Sequence, residues 1–441
     1  MNNYYLEEIK KQQGQGKGKV SPSFSKMRTL AKKNLENKGF PDRKNEDWKF
    51  SSSTKFIGTD FHFNGTHLKA AILSPEEMAL VEKFQHRLVF INGELEQSLN
   101  FLPDNIELVS TTADAIDSSV ERFLNIGKKE EAFDSLNLLG LDTVHALHVK
   151  ANTSKTADAP LALLCFYKDS NKNTFSPRLV IDLAKGARLD LFSGHWGENE
   201  ENNSYLLNSV TQINLEENAR LEYSSLNQNS QSAKVVDQFL VDQKKFSQLN
   251  LSTLNLAGKF TRQEVMVNLN EEEANANFHS LMGLKGEQHC DSFITYNHFS
   301  ERTFGEQLVK SLLDDSSHGV FTGKIFIHPN AQKVAAEQLN KTLLISDKAK
   351  IDTRPQLEVY ADDVSCAHGA TTGQLSDDEI FYFQSRGIPK ERAIKMISFG
   401  FANDIIDKVE NTLVKDILTQ ELFNHLGSLN IESDKESSHE Q

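Results

Sequence analysis

Residues 186–191, Gly186-Ala187-Arg188-Leu189-Asp190-Leu191, decide how the middle of this chain is read. Their pattern is a polar turn, then Ala, then alternating apolar residues. It returns 32 residues later as Asn218-Ala219-Arg220-Leu221-Glu222-Tyr223. Looser copies stand at Asn275-Ala276-Asn277-Phe278 and Lys348-Ala349-Lys350-Ile351-Asp352, at larger and uneven intervals. Alternation with a period of two marks strands that bury one face. From about Val144 onward that period dominates and helical signals nearly vanish. Many short strands joined by a recurring turn, with no helices between them, fit a β-solenoid or a β-sandwich. In a solenoid, Leu189, Leu221 and Ile351 point inward.

Further along, three β-type runs, Gly319–His328, Thr342–Ile345 and Gln356–Tyr360, lead into Ala361-Asp362-Asp363-Val364-Ser365-Cys366-Ala367-His368-Gly369-Ala370. There a thiol, an imidazole and two carboxylates crowd together, the densest grouping of soft and borderline metal-ligand types in the chain. Cys366 and His368 are two apart, so on a strand they share a face. Such a pair offers two metal ligands, or a thiolate kept ionised by an imidazolium. The structural alternative is a small buried Cys beside a hydrogen-bonded His at a strand end. Asp362 and Asp363 are candidate outer carboxylates, or simply a solvated turn. His289 and Cys290, being adjacent, face opposite ways and read as structural. Thiolate-held clusters draw several Cys from one site. The three cysteines here, Cys165, Cys290 and Cys366, form no C-x-x-C pair, so a cluster site needs ligands from another chain. Gly319-Val320-Phe321-Thr322-Gly323-Lys324-Ile325 falls short of a nucleotide-binding loop, because its glycines are one residue too close and Ile325 replaces the magnesium-binding hydroxyl.

At Ser376 the period returns to 3.6. Ser376-Asp377-Asp378-Glu379 has the form of a capping box, Gly387 closes that helix, and Pro389 suits the first turn of the next. Ala393, Ile394, Ile397, Phe401, Ile405 and Val409 then form one apolar stripe, which buries either in the chain's own core or in a partner's groove. A third helical segment carries Leu413, Val414, Ile417, Leu418 and Leu422. The tail, residues 432–441, is polar and expected to be disordered.

Towards the N-terminus, residues 12–19 read as a flexible break and Ser25–Lys38 as a helix closed by Gly39. Asn45-Glu46-Asp47-Trp48-Lys49-Phe50 follows, with Trp48 expected to pack beneath a helix pair. Arg87–Leu95 is a hairpin around Asn92-Gly93. Residues 112–139 look helical. The organisation expected is therefore a mixed α/β N-terminal domain over 1–150, a β core over 151–375 and a C-terminal helical domain over 376–431.

The 441 residues carry a net charge of −14, which argues against nucleic acid as the main partner. The first 50 residues run the other way, with 12 Lys and Arg against 6 Asp and Glu, and read as a solvated, partly helical surface. A sparse, odd cysteine count suits a reducing compartment. With no apolar leader-like stretch and no run of membrane-spanning length, the expectation is a cytoplasmic protein that binds no membrane.

Three ordered segments resemble one family. They are G-x-F-x-G-x-I at 319–325, A-x-Q-x-N-x-x-L-L-x-S-x-x-A at 336–349 and P-x-L-E-x-x-A-D-D-V-x-C-x-H-G-A-T at 355–371. All are similar to the SufB/SufD scaffolds of iron–sulfur cluster assembly. E-D-W-K-F at 46–50 and R-L-V-F-I-N-G-E at 87–94 look most like the SufD branch, with a SufB-type scaffold as the near alternative. The resemblance implies a right-handed parallel β-helix and a non-catalytic scaffold rather than an enzyme. It also implies pairing with SufB through one end of the β-helix, where His368 and Cys366 handle iron or a nascent cluster. It implies docking of the SufC ATPase on the C-terminal helices through Ile394, Ile397, Phe401 and Ile405. No cofactor is expected to be tightly bound by the chain alone, and a homodimer is the alternative assembly of the isolated chain. A reading from another class, a β-helix carbohydrate-active enzyme, predicts a leader peptide and an aromatic, acidic groove, neither of which is evident.

Overall fold

The computed structural model describes residues 2–15, 22–63, 72–112, 120–121, 124, 131–151, 159–168, 170, 172–198 and 203–427. From about residue 161 the chain coils, each turn contributing one strand to each of two sheets. Each sheet has ten strands and the rungs are parallel. This is the β-solenoid, and a sandwich of antiparallel sheets is ruled out. Inward columns run in strict register: Leu189, Leu221, Leu249, Ala276, Gly305, Ala336 and Cys366 are successive partners on one sheet. Ile181, Ile213, Val241, Val267, Tyr296, Ile325 and Leu357 are successive partners on the other. Leu189 and Leu221 are buried in this core, and Ile351, in the last coil, is half-buried against it. Each fully buried aliphatic side chain contributes roughly 1.5–3 kcal/mol.

The recurring turn has a stereochemical cause. At one corner Gly186, Asn218, Phe246, Glu273, Arg302 and Lys333 all adopt positive φ. Each donates its backbone N–H to a carbonyl in the next coil's turn, Gly186 to Glu217, Asn218 to Lys245, and so on to Lys333 and Asp363. The residue after each is enclosed beneath the corner, as are Ala187, Ala219 and Ala274. The equivalent residues of the other coils, Ser247, Thr303 and Val334, are as buried, so the corner takes small side chains of which alanine is the commonest. The equivalent of the first two copies is therefore Glu273-Ala274. Asn275-Ala276 starts the following strand, and Lys348-Ala349 lies at the opposite corner, which explains the uneven intervals.

The two ends of the coil differ. At the first end His86–Ile91 pairs in parallel with Leu161–Tyr167, then turns back through Asn92 and Gly93, both at positive φ, into antiparallel Glu94–Leu95. Ile106–Thr112 closes the other sheet antiparallel to Thr143–Val149. The hairpin read from the sequence is thus also the solenoid's lid. At the last end, among the described residues, both sheets stop on bare strands, Lys350–Val359 and Val364–Gln374.

Helices cover the outer faces. The N-terminal helices Asn2–Gln15, Pro22–Lys38 and Ala132–Gly140 pack on one sheet, burying Phe24, Leu35 and Leu136 with Val180, Val236 and Phe260. The first of these helices runs to Gln15, so residues 12–15 are helical rather than the flexible break expected at 12–19, and the rest of that stretch lies outside the described residues. The C-terminal helices Lys390–Ile406 and Thr412–Leu426 cover the other sheet, with Ala402, Ile405 and Leu418 against Leu254 and Leu281. Ser376 occupies the N-cap of Asp377–Gln384 but its side chain makes no capping bond. The reciprocal capping box is at Ser74 and Glu77 instead. The polar tail, 432–441, lies outside the described residues.

The Glu46-Asp47-Trp48 segment straps the N-terminal cover to the coil. Glu46 pairs with Arg354, Asp47 with Lys324 at 2.6 Å, and Trp48 stacks on Phe133 at 5.1 Å with the Arg262 guanidinium 4.3 Å above its ring. Trp48 therefore packs between a helix and the solenoid rather than beneath a helix pair. Trp48→Ala should lower the unfolding free energy by about 3–5 kcal/mol, read from denaturant titration. A change within error would show the strap to be dispensable.

Candidate functional site

Cys366 and His368 share a face, as their spacing predicts, and the register specifies which one. Both continue inward columns. Cys366 stacks on Ala336, and His368 follows Leu191, Tyr223, Leu251, Phe278, Gln307 and Gln338. With no coil beyond them, Cys366 is half-buried and His368 exposed. Beneath His368 the amide of Gln338 donates to Gln307 at 2.7 Å, a polar ladder below the imidazole. Burial pushes the Cys366 thiol up, opposed by a backbone hydrogen bond from Ala336. The resting group is therefore a thiol, and binding a metal through it releases a proton.

Asp362 and Asp363 occupy the exposed bend before this strand. Asp363 accepts from Lys333 through its carbonyl, and its own N–H donates to Gln332 at 3.0 Å. The backbone of that bend continues the stacked corner. His289 is tied into the structure by Ser51 at 2.9 Å and stacks on Phe56, and Cys290 is fully buried. Among the described residues no three His, Cys, Asp or Glu side chains are grouped so as to hold a metal ion.

The helical stripe is divided. Ile405 is fully buried in the chain's own core, whereas Ile394 and Ile397 are half-buried. Phe401 is half-buried too, with the Lys310 ammonium 4.6 Å above its ring and hydrogen-bonded to its carbonyl. The exposed apolar groups are instead Phe381 (68%), Tyr382 (56%) and Met396. Sequence reasoning passed over the first two. The contiguous run Ile380-Phe381-Tyr382-Phe383, too apolar all round for one buried stripe, was the available signal.

Comparison with known proteins bears on what these features serve. The SUF-system iron–sulfur cluster assembly SufBD core domain matches residues 166–401, and the SufBD N-terminal region matches 1–97. This chain belongs to the SufBD family. An iron–sulfur cluster assembly SufBD family protein of Synechocystis is 31% identical over 383 residues, 84% of each chain. The iron–sulfur cluster assembly protein SufD of Escherichia coli is 27% identical over 86% of this chain and 87% of its own. The chloroplastic ABCI7 protein of Arabidopsis thaliana is 25% identical over 90% and 86%. The core-domain match begins near the end of the strand beside the lid and runs past the bare end, the Cys366–His368 strand included. None of the helices among the described residues is long and apolar enough to cross a membrane.

Because its thiol is held protonated, Cys366 should alkylate more slowly at pH 7.5 than an unstructured cysteine, and the rate should climb as pH rises past 9. Mass spectrometry of the labelled peptide reads this directly, and a fast, pH-independent reaction would contradict it.

Proposed function

We propose that this chain is a SufD-type scaffold, without chemistry of its own in isolation, that completes a cluster-assembly site with a SufB-type subunit. The observation that carries this reading is the asymmetry of the coil. One end is closed by antiparallel strands, and the other presents two unpaired edges with Cys366 and His368 at the mouth of the inner columns. Bare edges invite pairing with another strand. A like coil stacked there would add its own ligands to a thiol and an imidazole that cannot hold a cluster alone. A second copy of this chain is the alternative occupant when the chain is isolated. Iron or the nascent cluster is cargo at that junction, with His368 as the ligand and Cys366 beside it. Asp362 and Asp363 stand close enough in sequence to serve as outer carboxylates.

The C-terminal helices are the proposed dock for the SufC-type ATPase. Ile394, Ile397 and Phe401 contribute their half-exposed sides, Ile405 supports them from within, and Phe381 and Tyr382 supply the exposed contact.

His368→Ala should leave folding and complex assembly intact and lower iron loading of the purified complex by roughly tenfold or more. Cys366→Ser should do less. Iron content of matched complexes decides the matter, and unchanged loading would reduce this chain to an adaptor. Phe381→Asp, at an exposed position, should keep the circular dichroism spectrum and weaken ATPase binding by about 2 kcal/mol, or roughly 30-fold. Normal binding by the folded variant would move the dock elsewhere.

A further inference from the structure

The closed end of the coil, away from Cys366 and His368, contains a cavity of about 300 Å³. It opens between the lid hairpin and the first coils. Three inward residues from different coils meet in it, Cys165, His195 and Asp237. Cys165 and His195 are register partners on one sheet, and Asp237 faces them from the other beside its own partner Ser209.

The electrostatics of this space are one-sided. Ser209 donates to the Asp237 carboxylate at 2.6 Å, and among the described residues no cationic group acts on it. Burial holds its carboxyl up at about 6, so at neutral pH it is mostly ionised. His195 and Cys165 opposite it are neutral. Burial pushes the His195 imidazole down to about 4 and the Cys165 thiol up to about 12. His195 lies 3.3 Å from the Tyr167 hydroxyl and 3.2 Å from that of Ser193. The guanidinium at the wall, Arg178, is committed to Asp134, Asn137 and Gln212, each at 3.0 Å. At the mouth stands a second acid, Glu94, its carboxyl raised by partial burial and by the charge of Asp142. The walls are aromatic: Phe90, Tyr167, Phe175, Tyr223 and Phe239.

A buried carboxylate without a cation is costly, and ring faces attract positive charge. We propose that this cavity binds a small organic cation, an amine-bearing molecule whose ammonium group seats on Asp237 and whose apolar body lies among the rings. The enclosed volume suits a fragment-sized ligand with one ring. An anion is disfavoured by Asp237 and Glu94 together, and a bare metal ion lacks a ligand set here.

The test uses the full chain and three probes of one shape, 2-phenylethylammonium, 2-phenylethanol and 3-phenylpropanoate, titrated by calorimetry. The ammonium should bind at least about tenfold more tightly than the alcohol, and the carboxylate should not bind. Asp237→Asn keeps the shape of the side chain and should equalise ammonium and alcohol. Glu94→Gln, at the exposed mouth, should weaken the ammonium alone and by less, and it serves if the first variant does not fold. Equal affinity of ammonium and alcohol for the wild type, preference for the carboxylate, or no binding of any probe overturns the proposal.

Discussion

A parallel strand satisfies its backbone only against a neighbour on each side, and the whole molecule follows from where that requirement is met. Inside the coil each rung is bonded to the next, and even the corners take part, through left-handed residues that hand one N–H per turn to the following coil. The requirement fails at the two ends. The chain resolves one of them itself, by reversing direction into short antiparallel strands that terminate both sheets. The other, among the described residues, it leaves open. An unpaired edge is normally blunted by charge, proline or a bulge. Lys350–Val359 carries both of the first two, in Lys350, Asp352, Arg354 and Pro355, yet Val359 and Tyr360 at its close are 40% and 57% exposed, a hydrophobic finish suited to being covered by another chain.

The helical covers answer a second requirement. A two-sheet coil whose outward residues include Leu254, Leu281 and Phe260 cannot leave them in water. The C-terminal stripe is long because it spans several coils, so most of it is spent within the chain, and Lys310 reaching Phe401 and Asp404 ties it down. What remains for a partner is the short helix before it, which has fewer coil residues to cover. At the opposite face the covering helices need polar fixing, because Arg178 and Arg262 are both enclosed there. Each is matched by carboxylates, Asp134 for one, Asp291 and Glu264 for the other. Leaving either guanidinium without its acid would cost far more than the ion pair contributes.

Much of this was legible in the sequence, and the limits have a common cause. Period-two patterning, the Ala after a turn, the Asn-Gly hairpin and the helical stripe are local, and each corresponds to a local element. The same-face placement of Cys366 and His368 was local too. The capping box at Ser376 failed because the spacing of side chains does not fix their rotamers. That the hairpin strand continues into the coil depends on a pairing between His86–Ile91 and Leu161–Tyr167, some 75 residues apart, with no sequence pattern to announce it. The Cys165–His195–Asp237 grouping was invisible for the same reason. Its members lie 30 and 42 residues apart and meet only when the register is known.

The inner column ending at His368 changes character along the coil. It runs Leu191, Tyr223, Leu251, Phe278, then Gln307, Gln338 and His368. Near the closed end the column never meets water, and apolar side chains give the largest stabilisation. Near the bare end only the last position, His368, is exposed, and Gln307 and Gln338 beneath it are buried. A buried amide is costly when isolated, and the Gln338 amide donates to Gln307. In the assembly proposed above, the imidazole over them is the group that a partner or an iron ion would meet.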